Sequence, residues 1–325
     1  MAHIHIPKAW EDRNITPIEE STYRHRRQFI KELSLFGIGA AMSPALLAHA
    51  SREEAPNFTF EGQEKYYPAK RNDRYPLDRK MTKESVATQY NNFYEFIHPK
   101  DPNIYNVYKY VHTFDTSDWT IKVGGMCENK GTFHLGELIK EFGTEERTYR
   151  FRCVERWAMA VPWTGFPMAK LIAFLQPKAK ARFVRFTSFA NRNQMPGVLN
   201  QEWYPWPYQE GLSIEEATNE LAFMATGIYG KPLPKQHGAP IRCVTPWKYG
   251  YKNIKSVVKI DFIRFQPKTF WNSVTPDEYP FVSNVDPGLP HPRWSQAEEY
   301  MIPNGRKRPT LKYNGYGEFV AGLYE

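Results

Sequence analysis

From residue 119 onward, short runs of apolar residues recur at strand or helix spacing. Trp119-Thr120-Ile121-Lys122-Val123 alternates and ends at Gly124-Gly125, which predicts a strand running into a turn. Within 133–142 the apolar positions Leu135, Leu138, Ile139 and Phe142 have helical spacing. Tyr149–Val154 returns to an extended pattern, and Pro167 opens a short helix, Met168–Leu175, at a position where a missing N–H costs nothing. Phe183–Phe186 reads as another strand. Ser213-Ile214-Glu215-Glu216 has the form of a capping box opening a helix to Leu221. Val257–Phe265 alternates as Val-Lys-Ile-Asp-Phe-Ile-Arg-Phe from Val258 on, a further strand. There is no internal repeat and no linker rich in Gly and Ser. The pattern predicts an α+β fold, a mixed sheet with short helices, in one domain over 81–325. The polar, charged residues 51–80 are expected to wrap it as an extended arm.

The N-terminal segment has a different character. Residues 24–31 read Arg-His-Arg-Arg-Gln-Phe-Ile-Lys, a moderately apolar stretch follows from Leu33 to Leu47, and Ala48-His49-Ala50 offers a small-x-small cleavage site. With Arg26-Arg27 followed by Gln28-Phe29-Ile30-Lys31, residues 1–50 have the form of a twin-arginine signal peptide. The apolar middle is short and broken by Gly37, Gly39 and Pro44, which argues against a membrane span. The expectation is export to the periplasm of a protein that is already folded, a route that suits a chain loaded with a complex redox cofactor in the cytoplasm.

Composition narrows the classes further. A chain that is 41% hydrophobic and 24% charged is neither a disordered tail nor a fibrous repeat. Aromatics make up 15% and there are 26 prolines, which favours a sheet-rich, loop-rich body with aromatic-lined clefts. The formal net charge is +8, and nearly all of that excess lies beyond residue 50. Such a charge suits an anionic ligand or is simply a solvated basic surface; it does not by itself imply nucleic acid, and no nucleic-acid partner is expected. The three cysteines, Cys127, Cys153 and Cys243, form no C-x-x-C pair, which disfavours a structural zinc site. An odd count leaves at least one thiol outside any internal disulfide. The absence of a C-x-x-C-H motif or a cysteine quartet argues against a haem or iron–sulfur centre in this chain.

Three stretches carry candidate chemistry. In Tyr149–Trp157, Cys153 ends a predicted strand with Arg150, Arg152 and Arg156 nearby; positive neighbours favour a thiolate, a soft donor for a redox-active metal. On these residues alone Cys153 could equally be a buried structural cysteine. Tyr90–Phe96 is dense in amides and phenols that can bond and flank a polar heterocycle, or form a capped turn into an aromatic core. From Tyr229 to Lys255, glycines permit close backbone approach. There Arg242, Lys248, Lys252 and Lys255 can neutralise a phosphate, although neither a P-loop nor a dinucleotide fingerprint is present. A solvated basic surface is the alternative.

These stretches together resemble the catalytic subunits of bacterial periplasmic protein-methionine-sulfoxide reductases, within the sulfite-oxidase-type molybdenum superfamily. The similarity runs from about Tyr90 onward. It takes in Tyr90–Phe96, Arg152–Trp157, Pro162–Pro167, Gln194-Met195-Pro196-Gly197, Pro246–Lys255, Thr275–Tyr279, His291–Ala297 and Asn314-Gly315-Tyr316. The resemblance implies a sulfite-oxidase-type molybdopterin-binding fold. It implies one molybdenum held by one molybdopterin dithiolene and one cysteine, which by position is Cys153. Asn91, Tyr94, Glu95, Ser188, His237, Arg242, Asn253, Ile254 and Lys255 fall where the family contacts the pterin, and Asn92 and Glu155 fall beside the metal. Two positions depart from the family pattern. Ser188 stands where Thr is expected and keeps the hydroxyl. His237 stands where Asn is expected and adds a charge state that depends on pH.

The implied reaction is oxygen-atom transfer from methionine sulfoxide in exported proteins to reduced molybdenum, as part of a periplasmic repair system, with a shallow, accessible site. The implied partners are oxidised periplasmic proteins as substrates and a haem-containing integral-membrane subunit as electron donor. The alternatives are a sulfite dehydrogenase-type oxidoreductase with the same fold and cofactor, and a non-catalytic exported protein whose basic loop grips an anion.

Overall fold

The computed structural model describes residues 54–325 apart from Pro99 and Pro102; the expected twin-arginine segment lies outside the described residues. In chain order, α1 (Glu84–Ala87) precedes β1 (Thr120–Gly125), β2 (Gly131–His134) and α2 (Leu135–Phe142). Then come β3 (Glu145–Arg152), β4 (Trp157–Pro167), α3 (Met168–Leu175), β5 (Phe183–Ser188), α4 (Pro196–Asn200) and β6 (Gln209–Ser213). They are followed by α5 (Ile214–Thr218), β7 (Phe223–Ile228), β8 (Lys231–Pro232), β9 (Arg242–Val244), β10 (Val257–Ile263) and α6 (Phe270–Val274). The last elements are β11 (Glu298–Met301), β12 (Arg306–Pro309) and α7 (Gly317–Val320). Short 3-10 turns fill several connections, among them Tyr94–Phe96, Ile104–Lys109 and Gly250–Lys252.

The strands form two mixed sheets, so the architecture is α+β. One sheet has the order β2-β1-β10-β5-β6, with β1 parallel to β10 and the other pairs antiparallel. The other has the path β12-β11-β4-β7-β8, with β3 on β4 and β9 on β7. No described helix is long and apolar enough to cross a membrane.

The predicted strands at 119–123, 149–154, 183–186 and 257–265 appear as β1, β3, β5 and β10, and the helices as α2, α3 and α5. Two ends differ. The helix after the capping box stops at Thr218, not Leu221, because Asn219 takes extended ψ and its Oδ1 accepts the Leu221 N–H at 3.0 Å. Strand β10 stops at Ile263, opposite Phe183, where its partner β5 begins. The pattern reading missed β2, β4, β6, β7, β8, β9, β11 and β12. Strand β4 is buried from Trp157 to Phe166 and β7 over its whole length, so neither shows the polar–apolar alternation of a half-exposed strand.

Three features of this frame matter for function. The β3–β4 hairpin pairs from Glu145↔Gly165 to Arg152↔Ala158, and its loop is closed by Cys153 N–H donating to Trp157 O at 3.0 Å. Arg156 takes φ 77 in that loop, so Cys153 and Glu155 are presented by a tight turn between two long strands. Second, α4 packs its Gly197 on the Tyr94–Glu95 backbone so closely that a Cβ would stand 2.0 Å from Tyr94 O. Third, Gly238 at φ 90 lies against Lys255, with a hypothetical Cβ 2.4 Å from the lysine Cβ. Glycine at these two positions lets α4 lie on the 94–95 backbone and the turn at 238 lie on Lys255.

Candidate active site

The hairpin loop, the 90–95 segment and the 242–255 stretch meet in a cleft holding about 790 Å³ of space, part of it open to solvent. Asn91, Asn92, Tyr94, Glu95, Cys153, Glu155, Arg242, Asn253, Ile254 and Lys255 all line it, so the fold brings together ten of the twelve residues singled out from sequence. Ser188 and His237 do not line it. The Ser188 hydroxyl instead donates to Glu95 Oε1 at 3.5 Å, and the His237 ring sits behind the wall with Nε2 against Ala87 O at 2.8 Å.

Cys153 is buried, and its Sγ is 3.6 Å from Asn92 Nδ2 and 3.9 Å from Glu155 Oε2. The expectation that its arginines would favour a thiolate is corrected here. Arg150 points to Asp78 and the Asn314 carbonyl, and Arg156 to the Tyr300 hydroxyl. Arg152 donates to the Cys153 carbonyl and to Gln296 and pairs with Glu299. Burial, and after it the Glu155 carboxylate, push the thiol well above its ordinary pKa. A bound metal would reverse this, because a coordinating thiol loses its proton to the metal's charge.

Glu155 is the hub beside the sulfur. Its Oε2 accepts from Asn92 Nδ2 at 3.0 Å, the Tyr105 hydroxyl at 2.9 Å and Trp157 Nε1 at 3.2 Å. On the opposite side, the guanidinium of Arg242 is buried and donates only to the carbonyls of His237, Asn253 and Cys243. Lys255 Nζ donates to Asn92 O at 2.7 Å. Neither cation forms an ion pair with a carboxylate among the described residues. Burial lowers both, Arg242 to about 10, while Glu95 close by is raised by its own burial. His237 is lowered to about 3 by burial and then by Arg242, so it is neutral and its Nε2–H donates to Ala87. The pH dependence expected of a charged imidazole at this position therefore does not arise near neutrality.

The other two lysines of the basic stretch correct a second expectation. Lys248 pairs with Glu216 and donates to Val282 O and Asn284 Oδ1. Lys252 pairs with Glu210 at 2.5 Å. Both are spent inside the protein and leave Arg242 and Lys255 as the cations available to a ligand. Cys127 and Cys243 are buried and free, Cys127 near the Gly124 carbonyl and Cys243 against the Met224 sulfur.

Sequence reasoning missed Tyr208, Trp271 and Met159 in the cleft wall and Tyr105 behind it. Trp271 and Tyr208 belong to an aromatic cluster with Tyr204, Trp206 and Phe270, and only the clustering in space distinguishes them from ordinary core residues. Tyr105 had no signal beyond being one of 20 tyrosines.

The donor set fits an anionic metal cofactor. A soft sulfur faces the buried Arg242 and the half-buried Lys255, neither in an ion pair with a carboxylate among the described residues, and the buried Asn92 Oδ1 has no partner. No group of three His, Cys, Asp or Glu side chains among the described residues could hold a metal by itself, so a metal here would draw most of its ligands from a cofactor.

Residues 108–271 match the family described as "Oxidoreductase molybdopterin binding domain". That span contains Cys153, Glu155, Arg242 and Lys255 but not the 90–95 wall. The chain is similar to the protein-methionine-sulfoxide reductase catalytic subunit MsrP of Xanthomonas axonopodis pv. citri, 43% identical over 94% of this chain and 92% of that one. It is similar to the protein of the same description in Campylobacter jejuni, 42% identical over 96% of this chain and 97% of that one. The solved sulfane dehydrogenase SoxCD of Paracoccus pantotrophus aligns over 59% of this chain and 44% of that chain, with a TM-score of 0.40 and 15% identity. The α+β body is a molybdopterin-binding oxidoreductase domain, as the sequence resemblance implied.

Proposed function

The chain belongs to the family of protein-methionine-sulfoxide reductase catalytic subunits, and from that premise we propose that it reduces methionine sulfoxide in exported proteins as part of a periplasmic repair system. It is an oxidoreductase of the molybdenum–pterin cofactor family. In this reading one molybdenum is held by one pterin dithiolene and by the Cys153 sulfur. The observation that carries it is the cleft's charge arrangement: a buried cysteine and a hydrogen-bonded carboxylate on one side, and on the other the buried Arg242 and half-buried Lys255, neither in an ion pair with a carboxylate among the described residues.

When bound, the cofactor supplies the electron pair and the acceptor for the sulfoxide oxygen; the chain supplies position, charge and protons. Arg242 and Lys255 hold the anionic end of the pterin through charge-assisted hydrogen bonds. Asn91, Tyr94, Glu95, Asn253 and Ile254 flank it in the cleft wall. Ser188 and His237 act from behind that wall, Ser188 by bonding Glu95 and His237 by offering its carbonyl to Arg242 at 3.0 Å. Sulfoxide, two electrons and two protons give thioether and water. Glu155, beside the sulfur and open to the cleft, is the group placed to pass protons, and Asn92 holds it there. Restoring methionine returns an apolar side chain to the damaged protein's core.

The reading further includes export by the twin-arginine route, and a haem-containing integral-membrane subunit as electron donor, since a catalytic subunit requires a partner. The test is molybdenum content, pterin fluorescence and methionine sulfoxide reduction with an artificial donor. Wild type should score on all three, and Cys153→Ser should abolish reduction while the chain stays folded. Full activity in Cys153→Ser would overturn the ligand assignment. Cys127→Ala with Cys243→Ala should leave metal content unchanged. Oxidation of sulfite in place of sulfoxide reduction would select the sulfite dehydrogenase reading.

A further inference from the structure

The hydrogen bonds on Glu155 are one-sided. Its Oε2 takes the donors from Asn92, Tyr105 and Trp157, while no described residue donates to Oε1. A carboxylate tied by three donors through one oxygen has little freedom to turn, and its second oxygen stays free. Asn92 and Trp157 line the cleft; Tyr105 does not. It reaches the same oxygen from the 3-10 turn Ile104–Lys109, and its own placement is built in. The Tyr105 N–H is capped by Asn103 Oδ1 at 3.0 Å. Its ring stacks on Tyr90 at 4.2 Å and 19°, and Tyr90 in turn meets Trp157 edge-on at 4.9 Å. A stacked ring of this kind fixes where the hydroxyl stands.

We propose that Tyr105 is a positioning residue for Glu155: its hydroxyl holds Oε2 so that the carboxylate stays beside the Cys153 sulfur with Oε1 free for the reaction. The proposal rests on the sulfoxide-reducing role of the cleft. Tyr105 does not itself line the cleft; it reaches it through Glu155 and through Tyr90, on which it stacks and whose hydroxyl it hydrogen-bonds, and a Glu155→Gln background isolates the Glu155 route.

Tyr105→Phe keeps the ring and its stack and removes only the hydroxyl. In the holoenzyme, molybdenum and pterin content should be unchanged and the KM for methionine sulfoxide within about twofold. The kcat should fall on the order of tenfold, less than the hundredfold that a displacement of about 1 Å can cost. The electron paramagnetic resonance spectrum of the molybdenum should shift, because a carboxylate beside its sulfur ligand moves. In a Glu155→Gln background, adding Tyr105→Phe should change kcat by less than about twofold, since the two side chains act as one unit. The proposal is overturned by an unchanged kcat and spectrum in Tyr105→Phe, by a raised KM at constant kcat, or by a full additional loss in the Glu155→Gln background. Failure of the functional reading shows separately, as a wild-type holoenzyme that does not reduce sulfoxide. The spectrum of Tyr105→Phe then still decides the positioning claim.

Discussion

Between Arg242 and Lys255 one stretch of chain carries two pairs of cations that the fold treats in opposite ways. Lys248 and Lys252 each meet a buried carboxylate, Glu216 and Glu210, and each also donates to backbone carbonyls, Val282 O and Gly211 O. On the cleft side Arg242 is as deeply buried and Lys255 half-buried, and both hydrogen-bond only to neutral oxygens, with the Glu95 carboxylate acting on Lys255 from beyond ion-pair distance. A buried cation left without an anion costs free energy, and a fold tolerates that cost most readily where a ligand will supply the charge. The contrast separates cations that hold the protein together from cations kept for a guest, although all four look alike in sequence.

The largest effect that would sharpen or break this contrast is on stability. Lys252→Met leaves Glu210 buried without its partner and should destabilise the chain by about 3–5 kcal/mol. The double change Lys252→Met, Glu210→Leu should recover most of that loss, because it removes both charges. Chemical denaturation of the cofactor-free proteins measures both. If Lys252→Met costs less than about 1 kcal/mol, the pairing is not what holds this region.

A second test uses His237, which is buried beside Arg242 behind the cleft wall. Its folded pKa is depressed to about 3, by burial first and then by Arg242, below an unfolded value near 6.5. Its stability contribution is therefore complete above about pH 6.5. It is lost as pH falls toward 3, because the unfolded state binds a proton the folded state refuses. His237→Asn should flatten the fall of stability between pH 6 and pH 4 by up to about 1.4 kcal/mol per pH unit, read as the difference in slope between the two proteins. Equal slopes would mean the ring is not held neutral by its surroundings.

The smallest stability effect is expected at Lys255. Its ammonium has one protein acceptor, Asn92 O, so Lys255→Met should change the stability of the cofactor-free chain by no more than about 1 kcal/mol. The same variant should be isolated with clearly less molybdenum and pterin than wild type. A variant that loses several kcal/mol yet keeps its cofactor would place Lys255 with the structural pair and erase the contrast.

The regions differ, too, in how far the chain itself announced them. The half-exposed strands β1, β5 and β10 and the capping box of α5 were legible, because one face against water and one against the core imposes a period, and because Ser213 and Glu216 satisfy each other's backbone N–H groups locally. Strands β4 and β7 were not, since burial on both faces removes the period. In the site, the residues of the 91–95 and 253–255 runs share the cleft as a reading of the blocks suggested. Tyr105 reaches Glu155 across 50 positions, and no local pattern encodes such a contact.

The amino-acid sequence by itself determined the α+β class, the short helices, the position of Cys153 at the end of a strand and the supply of basic residues, because each of these follows from local periodicity or from residue type. The charge state of that thiol, the division of the lysines into paired and unpaired, the neutrality of His237 and the three-donor grip on Glu155 were decided only by the tertiary structure. Those properties depend on which distant groups share a buried space, and in a medium that screens charge poorly the neighbours across a few ångströms outweigh the neighbours along the chain.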